Sequence, residues 1–250
     1  MGNFDERPWG NSASAISAVH VLARPAEVAS YTTSLPGGSI AVEVGPRGRM
    51  IALADGPAGM GYWVCDWCGH GAARALHPAK PPAKHANPMT HKPCSGSQRL
   101  LDLCHDYETD LLTVDVSVPG FHGTQAAWKS VLYAVVEASS DALEIARDDI
   151  GGSLTPVGVD DWALSLFDTV SGGARHVLRI GAHLDVVLSA ALRRVSTCEC
   201  GPETSCYGCL RSYDNQRDHD DLSRGAAEQI LFRLLVGTGT IDVIHALGTS

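Results

Sequence analysis

The sequence predicts an α+β fold: a small mixed or antiparallel sheet with three main helices, stapled by two cysteine clusters. Three observations predict it. Short apolar runs of strand type recur over 39–44, 50–54, 111–118 and 162–167. Longer stretches over 124–149, 174–195 and 223–237 repeat apolar residues at helical spacing. The cysteines gather in two blocks, 65–94 and 198–209. Hydrophobic residues make up 44% of the 250, enough to bury a sizeable core and to exclude wholesale disorder.

The elements follow in chain order. Residues 1–36 are rich in Ser, Ala, Pro and Gly without a sustained period. They are expected to be loosely ordered, with a short helix over 13–23. A β-rich part is expected over 37–118. In it, strands 39–44 and 50–54 flank Gly45-Pro46-Arg47-Gly48, a hairpin turn signal. Gly61-Tyr62-Trp63-Val64 leads into the first cysteine pair. Residues 69–93 hold five Pro, four His and four Lys or Arg, with no acid. They read as an inserted basic loop, because proline breaks each helix or strand that starts there. In 111–118, Leu112, Val114, Val116 and Val118 share one face opposite Thr113, Asp115 and Ser117, the mark of a half-buried strand.

Residues 119–250 form an α/β part. Thr124 is the N-cap of a helix predicted to reach Asp149 and to stop at Gly151-Gly152. Strand 162–167 ends in Asp168-Thr169-Val170-Ser171-Gly172-Gly173-Ala174, a tight turn into a helix that buries Leu184, Val187, Leu188, Ala191 and Val195. The last helix, from Ser223 to Gly237, turns Ile230, Leu231, Leu234 and Leu235 inward.

Charge narrows the function classes. Net charge is −9, which excludes a uniformly basic nucleic-acid binder but leaves room for a local basic patch. Residues 101–170 carry 13 acids against Lys129 and Arg147, so the acidity is central. No run of 18 apolar residues predicts a membrane span. Asp5 and Glu6 with no apolar run behind them do not make a secretory signal, so a reducing, cytoplasmic location is expected.

In that setting clustered cysteines bind metal more often than they pair as disulfides. Cys198-Glu199-Cys200 with Cys206-Tyr207-Gly208-Cys209 supplies four thiolates within twelve residues. Zinc takes four soft ligands tetrahedrally at roughly 2.3 Å, and a closed four-sulfur shell is structural, with no open position for catalysis. Two disulfides or four free thiols are the other readings. Cys65-Asp66-Trp67-Cys68 with His91-Lys92-Pro93-Cys94 makes a second, Cys3His zinc knuckle. His70, His85 and Cys104 compete with His91 as its fourth ligand; Cys104 otherwise reads as a small core residue. A redox reading of Cys65 and Cys68 needs a helix that Gly69 and the prolines forbid.

Arg74, Lys80, Lys84 and Lys92 form a basic surface suited to DNA phosphate, or simply a solvated loop. Asp110, Asp115, Glu137 and Asp168 would form a nuclease-type metal cluster if they converged. No Walker glycine-lysine loop and no nucleophile turn are present, so neither ATPase activity nor any other catalysis by this chain alone is expected.

The stretch from Cys198-Glu199-Cys200 through Ser205-Cys206-Tyr207-Gly208-Cys209-Leu210-Arg211-Ser212-Tyr213-Asp214-Asn215-Gln216, His219 and Leu222-Ser223-Arg224 resembles the MrfA-type zinc-binding domain. Residues 166–174 look like that family's Asp-x-x-Pro-Gly-Gly-Ala-Gly turn, with Ser171 for Pro and Arg175 for the last Gly. His105-Asp106-Tyr107-Glu108-Thr109-Asp110 looks like its His-x-x-x-Thr-Asp segment, preceded by Cys104 where a Gly is usual. Cys65, Cys68, His91 and Cys94 look like the extra knuckle of members similar to DrmB of the DISARM phage-defence system. The resemblance implies bound zinc and a non-catalytic accessory role beside a superfamily 2 DNA helicase, in DNA repair or phage restriction. It implies a helicase or other defence or repair subunit as partner, with the motor supplied in trans. A metal-dependent nuclease around Asp168 and a purely protein-docking domain are the alternatives.

Overall fold

In the computed structural model, which describes residues 18–56, 59–74, 80–82, 84–158 and 161–237, the strands begin earlier than the sequence predicts. Ala18–Ala23 (β1) and Ala29–Leu35 (β2) are extended where a loosely ordered segment with a short helix was expected. Val19, Val21, Tyr31, Thr32 and Thr33 are β-branched or aromatic and fit a pleated surface better than a helix. The part of that expected helix before residue 18 lies outside the described residues.

Gly38–Ala54 (β3) is one strand of 17 residues and runs through the expected hairpin turn. The hairpin instead joins β2 to β3 across Pro36-Gly37, in register from Leu35 opposite Gly38 to Ala29 opposite Val44. The glycines taken as turn residues serve close approach. A Cβ on Gly45 would lie 2.1 Å from the Glu27 carbonyl oxygen, and one on Gly48 2.8 Å from the Leu111 Cβ. Arg47 takes left-handed backbone (φ 60°) without ending the strand.

The zinc-knuckle region contains Tyr62–Cys65 (β4), Gly71–Ala73 (β5), His85–Ala86 (β6), Pro93–Cys94 (β7) and Gln98–Leu101 (β8). β5, β4 and β8 form a three-stranded antiparallel sheet, and β6 pairs with β7. The basic stretch 69–93 therefore holds short ladders where only loop was expected. Proline limits each to two or three residues and sits in β7 of a two-stranded ribbon, where an edge position tolerates it. Residues 75–79 and 83 of that stretch lie outside the described ones.

Leu103–Ser117 (β9), Ile150–Pro156 (β10) and Trp162–Asp168 (β11) complete the main sheet, ordered β1-β3-β9-β11-β10 with β2 on β3. β9 is central, so Thr109 to Val114 are buried on both faces. The expected alternation holds only farther on, where Val116 is buried and Asp115 and Ser117 are exposed.

Gln125–Leu143 (α1) starts as predicted: the Thr124 hydroxyl oxygen accepts the Ala127 N–H at 3.2 Å. It stops six residues short of Asp149, because Glu144 turns left-handed at φ 51°. Gly151 and Gly152 lie inside β10. A Cβ on Gly151 would meet the Phe167 ring at 2.3 Å, so the glycine makes room for packing rather than ending a helix. The helix expected over 174–195 is two, His176–Ala182 (α2) and Leu184–Thr197 (α3), broken at His183. Arg224–Val236 (α4) is capped by the Ser223 hydroxyl and by Gly237.

The architecture is thus α+β, with an antiparallel sheet and three main helices plus the short α2. The chain clusters into two compact units, one built on Ile51–Asp106 and the other on His20–Met50 and Tyr107 onward. In the second, Val131, Leu132 and Val135 of α1 share one core with Val187, Leu188, Ala191 and Val195 of α3 and Ile230, Leu231 and Leu234 of α4. Each such Val, Leu or Ile side chain, fully buried, contributes about 1.5–3 kcal/mol. In the first unit, Ala52 and Cys65 are the buried hydrophobic residues among those described. No helix among the described residues is long and apolar enough to cross a membrane.

Candidate metal centres

The carboxyl-terminal centre forms where α3 stops. Cys198 caps that helix with extended backbone (φ −73°, ψ 131°), which carries Cys200 back toward the helix end. A tight turn then brings the second pair in: the N–H groups of Cys209, Leu210 and Arg211 all donate to the Cys206 carbonyl, at 3.1, 3.1 and 3.0 Å. The Sγ atoms stand 3.5 Å apart for Cys198–Cys200 and Cys198–Cys206, 3.6 Å for Cys200–Cys209 and 3.8 Å for Cys206–Cys209. A tetrahedron of sulfurs around zinc, with bonds of roughly 2.3 Å, has edges of about 3.8 Å. A disulfide needs about 2.05 Å, so the geometry is that of a metal shell. Burial raises the Cys209 thiol strongly. Burial acts the same way on Cys206, but hydrogen bonds from the Cys198 thiol and the Gly208 N–H outweigh it and bring Cys206 down to about 7. Four crowded thiols resist losing all their protons unless a cation balances the charge.

The shell is braced by arginines. Arg224 donates to the Val195 carbonyl at 2.7 Å and the Cys200 carbonyl at 3.0 Å, and pairs with Glu228 at 2.9 Å. Arg194 donates to the Cys209 carbonyl at 2.8 Å and pairs with Asp141 and Glu137. After Cys209, Asn215 accepts the Ser212 N–H and donates to the Leu210 carbonyl, both at 2.8 Å. His219 Nε2 faces two acceptors, Asn215 Oδ1 at 2.9 Å and the Ser212 carbonyl at 3.0 Å, so it carries the proton. The spacing of the cysteines gave no sign of these bracing residues. Their place in the stretch of resemblance was the available signal.

In the second candidate centre the histidine that stands beside the three cysteines is His85, where His91 was expected. Cys65, Cys68, His85 and Cys94 bring one ligand atom each within 4.8 Å of one another. His85 and Cys94 are cross-strand partners of β6 and β7, which puts both side chains on one face. His91 occupies the connecting turn at φ 55°, exposed, its N–H donating to the Asn87 carbonyl at 2.8 Å. The spacing His-x-x-Cys counts residues along the chain, whereas a hairpin joins residues across it. Asn87-Pro88 was the available turn signal: the Asn87 carboxamide oxygen accepts the N–H groups of Met89 and Thr90 at 2.8 and 3.1 Å. The His85 Nε2 is buried with no hydrogen-bond partner, as a nitrogen reserved for a cation would be. His70 stacks on His85 with ring centroids 5.1 Å apart and stays outside the ligand group. Gly96 is obligatory here, since a Cβ would lie 2.7 Å from the Cys65 Sγ. Cys104 is exposed on β9 and belongs to neither centre, contrary to its reading as a core residue.

The four acids proposed as a nuclease cluster do not assemble. Asp168 is fully buried and its oxygens accept three N–H groups, from Ala174 at 2.5 Å, Val177 at 2.9 Å and His176 at 3.1 Å. Asp110 accepts the Arg175 N–H at 2.9 Å. Thr109 donates to the Asp168 carbonyl at 2.7 Å. Asp115 is exposed, and Glu137 pairs with Arg147 at 2.6 Å. Residues 108–110 and 168–175 thus close one turn on each other, and the Asp110 and Asp168 carboxylates accept backbone N–H groups. Gly173 is held at φ 79° against the Asp110 carboxylate, where a Cβ would lie 2.4 Å from its carbon. Arg175 takes left-handed backbone (φ 66°), a conformation that favours glycine.

Residues 131–210, which include all four carboxyl-terminal cysteines, match the family model of the MrfA Zn-binding domain. The Cys198, Cys200, Cys206 and Cys209 shell lies within that stretch and is the candidate zinc site, and Cys65, Cys68, His85 and Cys94 are a second candidate. The chain is also similar to Druantia protein DruE of Escherichia coli (strain UMEA 4076-1), 32% identical over 204 residues, which is 71% of this chain and 11% of that protein. The chain therefore spans about a tenth of that relative's length. Among solved structures, the helicase MrfA bound to DNA aligns with 87% of this chain and 24% of its own, at TM-score 0.48 and 14% identity. Another structure of MrfA aligns at TM-score 0.44 and 11% identity, with the same coverage.

Proposed function

We propose that the chain is a non-catalytic zinc-binding module of a DNA helicase-type system in repair or phage restriction, acting in the cytoplasm with a motor supplied in trans. The observation that carries this reading is the closed four-sulfur shell. It leaves zinc no position for water or substrate, so the metal fixes structure and does not drive a reaction. The engagement of Asp110 and Asp168 with backbone N–H groups supports the same reading against a nuclease. DNA contact is assigned to the basic stretch, where Lys80, Lys84 and Lys92 are exposed and Arg74 is half-buried, because the acidic middle of the chain repels phosphate.

The test uses zinc-loaded protein. It should neither hydrolyse ATP nor cleave DNA with magnesium. It should bind DNA with an affinity that falls steeply with salt, and less steeply after Lys80→Ala with Lys84→Ala. Magnesium-dependent cleavage would overturn the non-catalytic assignment, and no binding at low salt would overturn the DNA contact.

A further inference from the structure

Within the zinc-knuckle unit, the candidate ligands anchor an aromatic residue and two lysines within a few residues of one point. Trp67 lies between Cys65 and Cys68 and is 72% exposed, an unusual position for the largest apolar side chain. Its stem is fixed: the Trp67 Cβ and Cγ pack where a Gly96 Cβ would stand, 2.8 Å away. Met89, 86% exposed, tips the turn between β6 and β7. Lys84 precedes the ligand His85, and Lys92 lies two residues before Cys94 with its carbonyl accepting the Asn87 N–H. Since the four ligand atoms lie within 4.8 Å of one another, each of these neighbours is anchored within a few residues of one point.

The charge of this surface sets it apart. Between residues 61 and 101 the only acid is Asp66, against Arg74, Lys80, Lys84, Lys92 and Arg99. Asp66 is itself occupied, by Arg99 at 2.6 Å and by the Ser97 hydroxyl at 3.2 Å. A rigid exposed indole amid unpaired lysines combines a face for a nucleobase with charges for its phosphates. Duplex DNA hides its base faces within the stack, whereas a single strand offers them.

We propose that the zinc-knuckle unit binds single-stranded DNA, with a base stacked on Trp67 and the backbone held by Lys84 and Lys92. This rests on the assignment of DNA contact to the basic stretch and specifies its ligand. The experiment uses the full zinc-loaded chain and a dye-labelled oligothymidylate of roughly 12 nucleotides, within the span of one small binding site. Trp67→Ala should weaken binding roughly 5- to 150-fold, the loss expected for one base–aromatic stack, and Trp67→Phe should restore most of it. Quenching of tryptophan fluorescence on binding should disappear in Trp67→Phe. Lys84→Ala with Lys92→Ala should make the salt slope shallower by about 1.4, two single-strand phosphates at ~0.7 each. Zinc content of each variant, measured in parallel, shows that the knuckle is intact. If the parent binds but Trp67→Ala binds equally well, or if duplex competes as well as single strand, the stacking assignment is overturned and the DNA contact survives. If the parent binds neither at low salt, both fall together.

Discussion

The two metal centres solve one chemical problem in opposite surroundings. The carboxyl-terminal shell draws its ligands from twelve consecutive residues and sits on a large apolar core: Cys209 is buried in it, and Cys198, Cys200 and Cys206 pack against it. The knuckle draws its candidate ligands from a thirty-residue span, Cys65 to Cys94, in a unit whose buried hydrophobic residues, among those described, are Ala52 and Cys65. Zinc bound at the first would complete a packed region, and zinc bound at the second would stand in for a core. In a small domain that has no core of its own, a structural zinc contributes on the order of 10 kcal/mol.

The largest expected effect lies in the knuckle. His85→Ala should lose one zinc and open residues 51–106 to protease, while His91→Ala should keep the zinc and change stability by less than about 0.5 kcal/mol. The reverse outcome would restore His91 as the ligand. Limited proteolysis with mass mapping reads both. Next, Cys206→Ser should lose the other zinc, cost on the order of 4 kcal/mol and lower Tm by roughly 10 °C, yet leave the helical circular dichroism largely intact. Complete loss of helix would erase the contrast between the units.

How much of this was legible in the sequence follows the same division between local and long-range contacts. The Cys198–Cys209 shell was readable because its ligands are neighbours. The Thr124 and Ser223 caps and the apolar faces of α1, α3 and α4 were readable because helical periodicity is local. His85 was not, since its pairing with Cys94 depends on a hairpin register. β3 and β10 were misread at Gly45, Gly48, Gly151 and Gly152. Glycine marks turns and close approaches alike, and only the neighbouring strand or helix shows which one applies. The Asp110 and Asp168 carboxylates looked chemical in sequence because nothing local announces that backbone N–H groups will take their lone pairs.

Two smaller effects sharpen the contrast. Asp168→Ala leaves three N–H groups without an acceptor in a buried turn and should cost about 3 kcal/mol, with the zinc content unchanged. A loss of metal in that variant would tie the turn to a centre. Arg224→Ala removes the donor to the Val195 and Cys200 carbonyls and should cost roughly 1–2 kcal/mol while weakening zinc retention about tenfold, measured by competition with a chelator. Unchanged retention would show that the shell holds itself without its braces.

Elemental analysis of purified, reduced protein tests the central claim most directly. Two zinc ions per chain are predicted, falling to one in His85→Ala and to one in Cys206→Ser. A compact, protease-resistant chain that carries no zinc would contradict it.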